Sequence, residues 1–295
     1  FHRITPDDYR VLLHHLIQTD HIQLTEKGGL IVGLAGERVI NSFKFYGVFQ
    51  ESEEYTVRSE SQELGTVVAP PPPGEKIALA GHVWRVLEVD RKRHLIYCEM
   101  VKGKVPAYFG ECPGDLPTKV LKRMRQVLRE DTLYPYLMKN AVSRLTQARC
   151  TATQSGAADE NLIFLGGKMW CFIPWLGTYG FLAMERFLRL KCGDKLGLKN
   201  LDPFRPFFMQ FTMEADAPTF YAVLREEGEK LNNPMDLVYP NEVPLFDKYD
   251  EYLPEELVKK GFAYGVLRMD EVKDFCRSLS AEKARPAELV DGAPS

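Results

Sequence analysis

The chain has 295 residues, a formal net charge of −3 and 45% hydrophobic content, the make-up of a folded protein with a sizeable core rather than a disordered or fibrous one. No apolar run approaches the roughly 20 residues that span a bilayer, and the N-terminus does not read as a signal peptide, so no membrane partner is expected. The near-neutral total hides an asymmetry: residues 85–129 hold 11 Lys and Arg against 5 Asp and Glu, whereas residues 214–291 hold 10 against 18, so one block is basic and the C-terminal block acidic.

In chain order, Thr5-Pro-Asp-Asp8 is a helix start, with Thr5 as N-cap and Pro6 at the first helical position. A helix to about Thr19 follows, then the short runs 21–24 and 30–34 around a turn that carries Lys27. Helix then hairpin is the second half of a winged helix, here residues 1–42. The runs 43–49, 54–59, 65–68 and 76–80 have strand character, and four prolines at 70–73 predict an extended connection. Residues 81–111 form the centre of this region: a strand begins near Trp84, turns through Arg91, Lys92 and Arg93, returns over 95–101, and turns again at Lys102 and Lys104. Six or seven short strands over 43–112 suit a small antiparallel β-barrel with cationic turns.

The period changes at Pro117. Lys119, Lys122, Arg123 and Gln126 fall at i, i+3, i+4 and i+7, opposite Val120, Met124, Val127 and Leu128, which predicts an amphipathic helix with a basic stripe. A second helix is expected over 136–148, so that 113–150 forms a basic helical segment, with 151–158 read as a loop or boundary. Residues 151–279 alternate strands (162–165, 169–173, 207–213) with helices (179–192, 218–231, from 254, and 269–279), an α+β domain, and 280–295 is expected to be a disordered tail. The whole is therefore α+β. Gly166-Gly-Lys168 lacks the GxxxxGK[ST] spacing of a phosphate loop. The six cysteines (Cys98, Cys112, Cys150, Cys171, Cys192 and Cys276) are dispersed without a CxxC pair, so neither zinc nor a disulfide framework is indicated and a reducing, cytoplasmic compartment is expected.

The motifs Gly33-Leu-Ala-Gly-Glu37, Phe45-Tyr-Gly-Val-Phe49, Leu79-Ala-Gly-His-Val-Trp-Arg-Val86, Phe172-Ile-Pro-Trp-Leu-Gly-Thr178 and Lys248-Tyr-Asp-Glu-Tyr-Leu-Pro-Glu-Glu-Leu257, in that order, resemble the C-terminal portion of Lhr-type (long helicase-related) superfamily 2 helicases, DEAD/DEAH-box ATP-dependent enzymes. The resemblance spans residues 1–279. It implies a protein with two RecA-like motor domains followed by a winged helix, a β-barrel and an α+β domain that holds the tracked strand. This chain has no nucleotide-binding loop, DExH box or arginine-finger motif, so no cofactor is expected in it. ATP and Mg are expected in a motor on the same natural polypeptide, and the start at Phe1 without an initiator Met suggests a fragment of that polypeptide.

The reading that follows is a module that guides single-stranded DNA or RNA. Such binding combines a cationic track with aromatic platforms. The cations expected to contact nucleic acid are Lys27, Arg91, Lys92, Arg93, Lys102, Lys104, Lys119, Lys122 and Arg123, with the turn at 91–93 and the basic stripe on one surface. Trp84, Tyr108, Trp170 and Trp175 are the candidate platforms, and Trp84 and Trp175 the two assigned to contact. The alternative is a protein-interaction module that docks a partner in a DNA repair or defence complex through the acidic surface at 251–256. An independent catalytic activity finds no motif: the six histidines form no ligand or triad pattern.

Overall fold

Thr5 and Asp8 cap the first helix reciprocally. The Thr5 hydroxyl accepts the Asp8 N–H at 3.1 Å and the Asp8 carboxylate accepts the Thr5 N–H at 2.7 Å, satisfying donors that a helix start leaves orphaned. Helix α1 then runs Pro6–Gln18. The computed structural model describes residues 4–47, 54–60, 62–67, 73–74, 76–90, 93–102 and 115–282, and the fold is α+β. By its internal contacts the chain divides into two units, Ile17–Gly114 and a second made of Phe1–Leu16 with Asp115–Ser295. The 112/113 boundary read from the sequence falls close to this division; those at 42/43, 150/151 and 279/280 lie inside a unit.

In the first unit, β1 (Ile22–Leu24) and β2 (Leu30–Val32) form the expected antiparallel hairpin. Helix α2 (Leu34–Ile40) starts against residues 20 and 21: the Gly33 N–H donates to His21 O, and the Ala35 N–H to Asp20 O, both at 3.0 Å. A Cβ on Gly33 would collide with Asp20 O and one on Gly36 with His21 O, so the two glycines of the Gly33-Leu-Ala-Gly motif are there for close backbone approach. Residues 43–46, expected to begin a strand, instead form one helical turn, α3 (Phe43–Tyr46). An aromatic run this short has no period that separates strand from helix.

The remainder of this unit is a curled half-barrel sheet in the order β4-β3-β7-β6-β5, built from β3 (Tyr55–Ser59), β4 (Gln62–Val67), β5 (Lys76–Leu79), β6 (His82–Asp90) and β7 (Leu95–Met100). All pairs are antiparallel except β3 with β7. The β5–β6 turn is Ala80-Gly81, both at positive φ (51° and 78°), as a tight hairpin of this hand requires. Val57, Ile77, Trp84, Val86, Ile96 and Cys98 line the inner face. Most of the polyproline stretch lies outside the described residues, as do the turn cations Arg91, Lys92 and Lys104 and the aromatic Tyr108.

In the second unit, β8 (Leu162–Gly166), β9 (Met169–Phe172), β10 (Lys199–Phe204) and β11 (Phe208–Thr212) form an antiparallel sheet in the order β10-β11-β9-β8. The β8–β9 turn uses Gly166 and Gly167 at φ 115° and 59°. Around it lie α4 (Thr118–Arg129), α5 (Lys139–Gln154), α6 (Thr178–Phe187), α7 (Gly193–Leu196), α8 (Ala217–Lys230), α9 (Glu255–Gly265) and α10 (Met269–Glu282), with a π-helical turn at Leu188–Cys192 joining α6 to α7. The core is aromatic: Phe172 meets Phe220 and Phe275 edge-on, and Phe211 stacks on Phe220. Three boundaries shift from the sequence reading. Helix α5 begins at Lys139 rather than near Tyr136 and runs to Gln154 through residues read as a loop, held there by buried Ala152. Helix α10 continues three residues past Leu279.

The motif at 172–178 has a structural duty. The Thr178 N–H donates to Leu116 O and the Leu116 N–H to Thr178 Oγ1, each at 3.0 Å, while the Gly177 N–H donates to Thr118 Oγ1 at 2.8 Å. A Cβ on Gly177 would collide with Leu116 O. The start of α4 is therefore locked onto the start of α6, which fixes how α4 presents its basic stripe.

Candidate nucleic-acid interface

Helix α4 buries Leu121 and half-buries Arg125 and Leu128, whereas Val120 and Met124, expected on the apolar side, are exposed. The inward stripe therefore runs Leu121, Arg125, Leu128 at i, i+4 and i+7. Arg125 donates from Nε to Ala158 O and from Nη2 to Asp159 O, both at 2.8 Å, and lies 5.8 Å from the centre of the Trp175 ring. Arg129 donates to the same Ala158 carbonyl at 2.8 Å, and Arg149 to Val127 O at 2.9 Å and Thr132 O at 3.1 Å. Three cations of the basic segment thus satisfy backbone carbonyls and tie α4 to α5 and the loop after it.

Lys119, Lys122 and Arg123 remain on the outer face, all exposed. Neither lysine has an ion-pair partner among the described residues. Arg123 pairs with Glu130 at 3.0 Å and donates to the Tyr134 hydroxyl at 3.0 Å. Tyr134 in turn donates to Glu130. That hydrogen bond, with help from Arg123, holds the Glu130 carboxyl below the usual carboxylate range, and the same bond and burial push the Tyr134 phenol up. Next to this triad, the Tyr134 and Tyr136 rings stack with centres 5.5 Å apart and planes at 24°, and Tyr136 is 77% exposed. Sequence reading missed Tyr136 because it assigned the residue to a helix. The signal was Tyr134-Pro135-Tyr136, a proline turn with an aromatic on either side, between two basic helices.

Trp84 and Trp175, the two tryptophans expected to contact the strand, are enclosed. Trp84 is 4% exposed and its Nε1 donates to Leu79 O at 2.9 Å; it shares strand parity with Val86, so it points into the half-barrel. Trp175 is 9% exposed, at φ 55°, beneath Arg125; its Pro-flanked turn is folded inward by the interlock at 116–118. Trp170 is half-buried against Phe164 at 5.0 Å. In the first unit Lys27 and Lys102 are exposed, and Arg93 is exposed with Asp90 3.9 Å away. A track joining the turn at 91–93 to α4 would cross from one unit to the other, and Arg91 and Lys92 lie outside the described residues, as does Lys104.

The acidic stretch near 251–256 is the entry to α9. Asp250 is buried and accepts the N–H groups of Phe246 and Asp247, both at 2.8 Å. Glu255 and Glu256 are exposed in the first helical turn, where acids complement the helix dipole. Among the described residues no group of His, Cys, Asp and Glu could hold a metal ion, and no helix is long and apolar enough to cross a membrane. Comparison with known proteins finds no matching family model, no matching curated protein and no matching solved structure.

Proposed function

We propose that this chain is a nucleic-acid-binding module that guides a single strand of DNA or RNA, the C-terminal part of an Lhr-like ATP-dependent helicase whose RecA-like motor, with its ATP and Mg, lies upstream on the same natural polypeptide. The observation that carries the binding reading is the outer face of α4, where Lys119 and Lys122 are exposed without acidic partners among the described residues, beside the Arg123–Tyr134–Tyr136 cluster. Exposed cations free of carboxylates release counterions from a phosphate backbone on contact, which supplies affinity without sequence preference. The assignment to a helicase rests on the sequence resemblance alone.

The test is a titration of labelled single-stranded oligonucleotides at several salt concentrations. The chain binds weakly, with log affinity falling by about 0.7 per phosphate contact for each decade of salt, and does not hydrolyse ATP. DNA-stimulated ATPase activity in this chain alone would sink the reading. One observation favours the alternative of a protein-docking module: Leu24, Leu30, Ile31 and Val32 of the β1–β2 hairpin are all exposed, which is more apolar surface than a hairpin left in water needs. Absence of strand binding at low salt would leave that reading in place.

A further inference from the structure

We propose that Tyr136 is a stacking platform for an unpaired nucleobase, with the adjoining phosphate held by Lys122, so that this face selects single strands over duplex. This deepens the binding reading above and rests on it. The platform is built at the tip of a β-turn: the Leu137 N–H donates to Tyr134 O at 3.1 Å, with Pro135 at the second position, where its fixed φ pre-sets the turn. The turn brings the two rings together at 5.5 Å. The rear ring is immobilised, because the Tyr134 hydroxyl both donates to Glu130 and accepts from Arg123. Tyr136 therefore stands on a fixed support, while most of its own surface faces solvent.

Core packing does not account for such a ring. An aromatic side chain left 77% exposed contributes little burial to the fold, and among the described residues its only ring partner is Tyr134. Exposed Leu133 and Met138 flank the turn and add apolar surface for the sugar and base. The cation comes from the same helix: Arg123 lies over the supporting ring, 5.9 Å from its centre, and is taken by Glu130, whereas Lys122, next to it in the chain, is exposed and has no ion-pair partner among the described residues. A base stacked on this ring must have an open face. In duplex both faces are covered by neighbouring pairs, and exposing one costs unstacking. Nothing in a phenol ring reads the sugar, so deoxyribose and ribose strands are both accepted.

The experiment uses the whole chain with single-stranded deoxyribo- and ribo-oligonucleotides carrying a fluorescent base analogue, and the matching duplexes. The parent binds both single strands and quenches the analogue. Tyr136→Ala binds about tenfold more weakly with an unchanged salt slope and loses the quenching, in keeping with a lost stack of roughly 1–3 kcal/mol. Tyr136→Phe restores both, and neither variant alters weak duplex binding. Circular dichroism of the variants stays that of the parent, because most of the side chain is exposed. If the parent binds single strands but Tyr136→Ala binds as tightly with quenching intact, the platform is wrong while the cationic face stands. If the parent binds neither kind of strand at low salt, the binding reading itself falls and takes the platform with it.

Discussion

Two lysine-bearing surfaces of the second unit use the same charge in opposite ways. At the α7–α8 corner, Lys195 lies 3.2 Å from Glu226 and 2.7 Å from Glu227, and Lys230 lies 2.5 and 2.9 Å from the same two carboxylates. The hydrogen bonds to those lysines hold both carboxyls below their usual range. On α4, Lys119 and Lys122 have no such acids among the described residues. A phosphate approaching the first surface must displace a carboxylate from each ammonium; on the second it displaces only water and counterions. Net charge, or a count of lysines along the sequence, does not separate the two. The availability of a cation depends on what stands within about 4 Å of it.

The largest expected effect lies at a third kind of cation, one that the fold encloses. Arg186 is 8% exposed, donates twice to Glu242 at 2.6 Å, and sits 4.8 Å from the centres of both the Tyr239 and Phe262 rings. Glu242→Ala leaves this charge enclosed without its counter-ion and lowers stability by about 3 kcal/mol in urea unfolding. A variant as stable as the parent would show that water already reaches the guanidinium.

Next comes the contrast between the two lysine surfaces. Reversing Lys119 and Lys122 together to Glu weakens single-strand binding on the order of tenfold at low salt, for all sequences alike, and makes the salt slope shallower by about 1.4, two contacts' worth. Reversal that leaves affinity unchanged would mean the stripe is only a solvated face. Smaller still is the acid limb of stability. Lys260, with the Thr5 hydrogen bonds, holds the Asp8 carboxyl down to about 2, and Arg186 holds Glu242 below its usual range. Both groups titrate lower in the fold than in the unfolded chain. Their stabilising contribution is therefore complete above the unfolded carboxylate range and is lost as pH falls from about 4 towards 2. Asp8→Asn, which loses the 2.5 Å pair with Lys260, shows a flatter pH dependence of unfolding over that window; a curve superimposable on the parent's would remove Asp8 from the account. The smallest effect closes the comparison: Lys195→Gln and Lys230→Gln leave strand binding within about twofold of the parent, because exposed, already neutralised charges contribute little to a distant contact. A loss equal to that of the α4 variant would mean that the carboxylates do not mask these lysines.

What the sequence by itself determined is local. Thr5 and Asp8 dictated the first helix, because a cap needs only four residues. Glycines at 166 and 167 dictated the β8–β9 turn, since positive φ strains every other side chain, and the spacing of Lys119, Lys122 and Arg123 placed them on one outward stripe, because 3.6 residues make a turn of helix. Only the tertiary structure decided which outward groups are free. Trp84 and Trp175 carry the chemistry of stacking platforms but are enclosed, one by strand parity and the other by the interlock between residues 116–118 and 177–178. Arg123, Arg125, Arg129 and Arg149 read alike in sequence as cations of the basic segment, yet Glu130 claims the first and carbonyls distant in the chain claim the other three. Tyr136 owes its exposure and its rigid backing to a turn that brings Tyr134, Glu130 and Arg123 together. Side-chain availability is set by neighbours remote in sequence, which a local pattern does not contain.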